Sequence, residues 1–253
     1  MVTHVYSIVR NDEYILPYFL RHYSIFADKI FIIDDHSTDK TREVATSFPK
    51  VELLNFEYNR GFNEDDFNNT LESSYKKHSR GIADWVMCVD SDEFIYHKDI
   101  INVLHEQCNA GSQVLKTDGY TMVSEKNPDK DGQIYDECKM GMRTKQYDKT
   151  VVFNPKIDIT FGHGRHITNI PKGIEVVDVG LLLLHYRYLS KEYFIKRSNH
   201  LYDRAGYDDK TRKYRMKRGL SWYDRSLKSN LIKVIDILST RSPGLISNLL
   251  SCV

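Results

Sequence analysis

Trp85-Val86-Met87-Cys88-Val89-Asp90-Ser91-Asp92-Glu93-Phe94 sets five apolar residues directly against three carboxylates in four positions. The apolar run is the length of a strand buried on both faces, and the abrupt change at Asp90 marks its carboxyl end. Asp90 and Asp92 stand two residues apart where the chain begins to turn, so their oxygens can meet on one hard divalent cation such as Mg²⁺ or Mn²⁺. A D-x-D alone is a weak sign, because carboxylates at a strand end also serve as plain solvated turn residues.

The sequence upstream alternates the two structural periods. Val5–Val9 reads as a strand, and Glu13–Phe26 as a helix capped by Asn11 or Asp12, with Pro17 tolerated only near its first turn. Lys29–Ile33 is a second strand, Ser37-Thr38-Asp39 caps a short helix through Phe48, Val51–Phe56 is a third strand, and Glu64–His78 is a third helix. Short apolar strands separated by helices predict an α/β, doubly wound, mostly parallel sheet with helices on both faces. Ligands of such sheets bind beyond the carboxyl ends of the strands. Those positions carry Arg10-Asn11-Asp12, Asp34-Asp35, Asn59-Arg60-Gly61 and Asp90-Ser91-Asp92-Glu93. Past Ser112 the pattern changes to β-like runs at Val114–Thr117, Val151–Phe153 and Val176–Leu184, expected to extend the sheet and build an acceptor side. From Arg187 the chain reads as helical and basic.

Taken together, the motifs resemble the GT-A nucleotide-sugar glycosyltransferases, family 2 in particular. The first strand runs into Val9-Arg10-Asn11-Asp12, the second ends in Asp34-Asp35-His36-Ser37-Thr38-Asp39, and the fourth ends in the D-S-D. His185-Tyr186-Arg187 followed by Ser190, Phe194 and Lys196 is similar to a late stretch of a family 2-like subgroup. The resemblance implies a GT-A catalytic domain over residues 1–186 and a basic helical extension over 187–253. It implies nucleotide contacts from Val9, Arg10, Asn11, Asp34, Asp35, Arg60 and Asp90. A Mn²⁺ or Mg²⁺ ion would be held by Asp90 and Asp92 with a late histidine, His185 or else His163, and Arg187 and Lys196 would lie near the diphosphate. The reaction implied is transfer from a nucleoside-diphosphate sugar, UDP-linked by preference, to a glycan or lipid-linked acceptor with inversion. Inversion needs a carboxylate base, and the acidic pair usual in the family is missing, which leaves Glu137 and Asp118 as candidates. The competing readings are a sugar nucleotidyltransferase, whose Gly-rich loop is absent, and a degenerate GT-A module that binds nucleotide without turnover.

Composition agrees with a folded protein. The 253 residues carry 36 Lys and Arg against 35 Asp and Glu, with 41% hydrophobic residues, which argues against a disordered polyelectrolyte and against a nucleic-acid binder of overall basic charge. Four scattered cysteines fit a reducing, cytoplasmic setting, and neither a signal-peptide core nor a run of about 20 apolar residues is present. The near-neutral total is uneven: residues 187–253 hold 15 cations and 6 acids, a balance of +9, and the rest of the chain carries −8. Leu227, Leu231, Val234, Ile235 and Leu238 fall on one helical stripe, and Leu245 to Val253 on another. Such a tail suits peripheral contact with an anionic membrane, or packing against the acidic domain.

Overall fold

The computed structural model describes residues 1–58, 63–129, 131–166, 168–229 and 231–234, with the backbone alone for His163. The first half follows the alternating pattern: β1 (Thr3–Val9), α1 (Leu16–Tyr23), β2 (Lys29–Asp34), α2 (Thr41–Thr46), β3 (Val51–Asn55), α3 (Glu64–His78) and β4 (Trp85–Cys88). These strands lie in the order β3-β2-β1-β4, all parallel. The chain therefore winds outward one way from β1 and then crosses back to β4. This reversal opens a crevice at the carboxyl ends of β1 and β4. Asn63 starts α3 by accepting hydrogen bonds from the Asp65 and Asp66 amides. α1 begins at Leu16, later than its apolar period predicts, because the preceding loop is committed elsewhere. Asn11 adopts φ 52°, its Oδ1 accepts the Thr38 amide at 2.7 Å, and its own amide donates to Ser37 Oγ at 3.0 Å. The two loops after β1 and β2 are thus tied together beside the crevice.

The second half continues the sheet, which has ten strands among the described residues once a short C-terminal strand is counted, with β5 (Glu93–Tyr96), α4 (Ile100–Asn109), β6 (Val114–Val123), α5 (Ile134–Glu137), β7 (Met140–Arg143), β8 (Lys149–Phe153) and β11 (Val176–Tyr188). A separate hairpin comprises β9 (Thr160–Phe161) and β10 (Thr168–Asn169). β8 joins the halves, running antiparallel to both β4 and β6. β6 is parallel to β11, and β11 is antiparallel to β5. The last strand brings His185 opposite Glu93, next to the end of the D-S-D loop.

α6 (Lys191–Arg204) and α7 (Asp209–Leu227) close the described chain, with a short β12 (Ile232–Lys233). They pack on the ends of β6 and β11 through Val123, Tyr188, Phe194 and Tyr223. Tyr188 stacks on Phe194 and Trp222 with ring centroids 5.0 and 4.3 Å away. Gly219 makes this approach possible, since a Cβ there would sit 2.3 Å from the tip of the Phe194 ring. The stripe expected to form a helix from Leu227 onward differs in structure. Residues 232–233 pair antiparallel with β7, and Val234 is buried in the main core. Pairing with an open sheet edge outcompetes the helical period there. Ile235, Leu238 and the stripe from Leu245 to Val253 lie outside the described residues. No described helix is long and apolar enough to cross a membrane.

Candidate active site at the carboxyl edge of the sheet

The D-S-D loop is held as a tight reversal. The Asp90 carbonyl accepts the Glu93 amide at 2.9 Å, and Glu93 Oε2 accepts the Asp90 amide at 3.2 Å. The other Glu93 oxygen accepts from Lys149 Nζ at 2.6 Å, and both side chains are only 1% exposed. Lys149 belongs to β8, so the bridge between the two halves of the sheet also fixes the loop. On the opposite side, the Asp92 carbonyl accepts the Tyr186 amide of β11 at 2.8 Å. His185 Nε2 then lies 3.4 Å from Asp92 Oδ2, and its buried Nδ1 has no hydrogen-bond partner among the described residues. Tyr147 packs edge-on to His185 at 4.4 Å. That ring is seated because residue 119 is glycine, where a Cβ would come within 2.3 Å of the Tyr147 backbone.

Arginines meet the carboxylates from three directions. Arg197 of α6 contacts Asp12 Oδ1 at 2.8 Å and Asp92 Oδ1 at 3.2 Å, while Ser91 Oγ donates to Asp12 Oδ2 at 2.8 Å. Arg204, two turns further along α6, pairs closely with Asp35 and lies 4.0 Å over the Phe67 ring. Arg165 pairs closely with Asp90. Burial pushes the Asp92 carboxyl up, but the Arg197 guanidinium and His185 outweigh it and hold this carboxyl well below the usual range. Asp90 is likewise drawn down, with burial opposed by Arg165 and Lys149. Asp12 goes the other way, because burial exceeds the help from Arg197 and Ser91. Arg204 is pushed down to about 10 by burial, against the pull of Asp35.

Most of the sequence-predicted residues meet here. Asp90, Asp92 and His185 converge, and the Val9 carbonyl accepts the Asp35 amide at 2.9 Å. Arg10 reaches Asp35 at 3.4 Å and Asn11 lies beside it. Asp34 turns instead to Arg42 at 2.7 Å and to the Ser37 amide, anchoring the loop after β2. Arg187 lies near enough to help lower Asp92. Lys196 points outward to Glu13 at 3.4 Å, with its side chain 55% exposed, and its neighbour Arg197 enters the site in its place. Neither candidate base touches the D-S-D loop. Glu137 caps an exposed turn by accepting the Asp129 amide at 3.0 Å, and Asp118 is tied to Lys116 at 2.9 Å and Arg143 at 3.0 Å. Arg60 and the His163 side chain lie outside the described residues.

Sequence reasoning missed Lys149, Arg165, Arg197 and Arg204. For α6 a signal was available: Tyr193, Arg197 and Arg204 recur at helical spacing on one face, which here is the face turned to the sheet. Nothing local marks Lys149 or Arg165, whose partners come from distant parts of the chain.

Asp92 and His185 are spaced as two ligands of one divalent cation would be. Two ligands bound side by side at about 2.1 Å from one ion stand roughly 3 Å apart, and Asp92 Oδ2 and His185 Nε2 are separated by 3.4 Å. Among the described residues no group of three or more His, Cys, Asp or Glu side chains is arranged to hold a metal ion. Asp92 and His185 are the pair that could hold one, and Asp90 nearby is paired with Arg165.

A reversing parallel sheet with acidic loops at its switch point, followed by a mixed half that returns a histidine to the same edge, defines a GT-A type of nucleotide-binding protein. Residues 19–166 match the model of glycosyl transferase family 2, more than half of the chain, and the protein belongs to that family. No curated protein matches it. Among solved structures it is similar to S. aureus TarS, 14% identical over 84% of this chain and 41% of that one, with a TM-score of 0.49. S. aureus TarS 1-349 in complex with UDP-GlcNAc is 16% identical over 87% of this chain and 72% of that one, with a TM-score of 0.45. Glucosyl-3-phosphoglycerate synthase from Mycobacterium tuberculosis, solved with Mn²⁺, UDP and phosphoglyceric acid, is 19% identical over 47% of this chain and 43% of that one, with a TM-score of 0.35. The chain spans less than half the length of the longer TarS chain.

Proposed function

We propose that the protein transfers a sugar from a nucleoside diphosphate, UDP by preference, to a glycan or lipid-linked acceptor with inversion, aided by Mn²⁺ or Mg²⁺. The observation that carries this reading is the convergence of Asp90, Asp92, His185 and Arg197 at the switch point between β1 and β4. Asp35, with Arg10 and Asn11 beside it, supplies polar groups for the nucleoside at the neighbouring strand ends. As the glycosidic bond breaks, its electron pair passes to the diphosphate, and charge grows on the leaving oxygens. Arg197 and Arg187 provide fixed positive charge there. A bound divalent cation would add Lewis-acid stabilisation without a proton donor. Asp118 and Glu137 are engaged in other contacts, so we assign the acceptor's base to neither. The extension from residue 187 works with the domain before it, through α6.

Release of UDP from UDP-hexoses in the presence of Mn²⁺ tests the reading. Wild type is expected to turn over. Asp90→Asn is expected to lose on the order of 100-fold or more in kcat, the scale on which removing one stabiliser of developing charge acts. A wild-type protein that binds UDP but never releases it from any sugar nucleotide would support the non-catalytic module instead.

A further inference from the structure

The family match ends at residue 166, and α7 lies wholly beyond it. Between Asp208 and Ser229 the chain carries eight Lys or Arg and three Asp, and Asp208 is used as the helix cap. This excess is not spent on the acidic edge of the sheet, where α6 supplies the arginines. Lys210, Lys213, Lys217 and Lys228 are exposed, and none is in an ion pair among the described residues. The last three follow Lys210 by 3, 7 and 18 residues, which places all four on one side of the helix. At about 1.5 Å per residue this ridge is roughly 28 Å long. Tyr214 stands between them, 64% exposed.

Below the ridge is a groove of about 680 Å³ between α6 and α7, with Met216 and Leu220 within it and Lys213, Lys217 and Lys228 among the cations at its border, where Asp224 is the one acid among the described residues. A smaller hollow, lined by Lys191, Glu192, Ile195 and Lys196, continues the surface one turn back along α6. Cations therefore outnumber acids, Asp224 and Glu192, around the aliphatic walls of this face. We propose that the α7 ridge and this groove dock the protein on an anionic phospholipid bilayer. Phosphate headgroups would meet the lysines, and the first acyl methylenes would meet Met216 and Leu220. A tyrosine amid lysines suits the interface, where its ring is buried and its hydroxyl stays wet. A nucleic acid offers phosphates too, but gives Met216 and Leu220 no aliphatic partner, and Tyr214 alone makes a poor platform for successive bases. The surface is separate from the donor site, so this proposal stands or falls independently of the transferase reading.

Sedimentation of the full chain with vesicles tests it, using phosphatidylcholine alone or mixed equally with phosphatidylglycerol. Binding is expected only to the anionic vesicles and is expected to weaken with salt. Changing Lys210, Lys213, Lys217 and Lys228 together to Gln is expected to lower the partition constant on the order of 100-fold. Arg at the same four positions should retain binding. Tyr214→Glu, a single change on the solvent side, is expected to weaken binding about fivefold and serves if the quadruple variant fails to fold. Equal binding to neutral vesicles, unchanged binding by the Gln variant and by Tyr214→Glu, or ready displacement from vesicles by single-stranded RNA would overturn the proposal.

Discussion

Glu93 is the residue on which the geometry of the D-S-D loop turns. One of its oxygens fixes the Asp90 amide, the other takes Lys149, and neither ionic side chain is more than 1% exposed. Removing one partner strands the other charge in a low-dielectric interior. Lys149→Met is therefore expected to cost on the order of 3–5 kcal/mol in urea unfolding, and adding Glu93→Gln should recover much of it. Equal loss in the single and double variants would show that the pair does not act as a unit. At this scale the sequence made Asp90, Asp92 and His185 legible as candidates, because each stands at or just past the end of an apolar run, although β11 continues past His185 to Tyr188. Lys149, Arg165 and Arg197 were not legible. Their meaning depends on carboxylates 56, 75 and 105 or more positions away, brought near only by the folded sheet.

At the scale of elements, α1 is fixed by a buried histidine. His22 Nε2–H donates to the Ile95 carbonyl at 2.9 Å, and Nδ1 can accept from Tyr135 at 3.3 Å. Burial lowers its pKa to about 4, so the folded protein holds it neutral while the unfolded chain takes up a proton near 6.5. The contribution is present above 6.5 and is lost as pH falls toward 4, by on the order of 3 kcal/mol in total. Chemical denaturation at pH 7 and pH 4.5 measures it, with His22→Phe expected to flatten the difference. A variant that keeps the full pH slope would place the titration elsewhere.

The pocket wall beside His185 gives a second prediction at this scale. Gly119→Ala would drive a Cβ into the Tyr147 backbone, where only 2.3 Å is available, and move the ring off His185. A drop of about tenfold in kcat or more is expected, since small misplacements at a reacting centre are costly. Unchanged kcat would show that the Tyr147 contact is immaterial. The sequence places α3 at its observed boundaries because its apolar period and cap agree. It makes α1 too long because the first turn is spent on loop contacts, and β5, β7, β9, β10 and β12 escape it because short strands formed by distant pairing leave no period of their own.

For the molecule as a whole, the parallel half was legible because β1, β2 and β3 follow one another through short crossovers and β4, though it returns beside β1, keeps the apolar run of a strand buried on both faces. The mixed half was not, because β8 inserts between β4 and β6, pairing Val86 with Phe153 and Val114 with the same Phe153 across long stretches of sequence. The opposed charges, −8 over residues 1–186 and +9 beyond, resolve into two uses of the basic part. α6 turns Arg197 and Arg204 onto the acidic edge, and α7 turns its lysines to solvent. The central claim is that this edge binds a metal-complexed nucleoside diphosphate. Calorimetric titration of UDP into wild type and Asp92→Asn, with and without Mn²⁺, tests it most directly. The account predicts binding in wild type that strengthens at least about tenfold with Mn²⁺ and loses that gain in Asp92→Asn. Binding that is indifferent to both the metal and the substitution would contradict it.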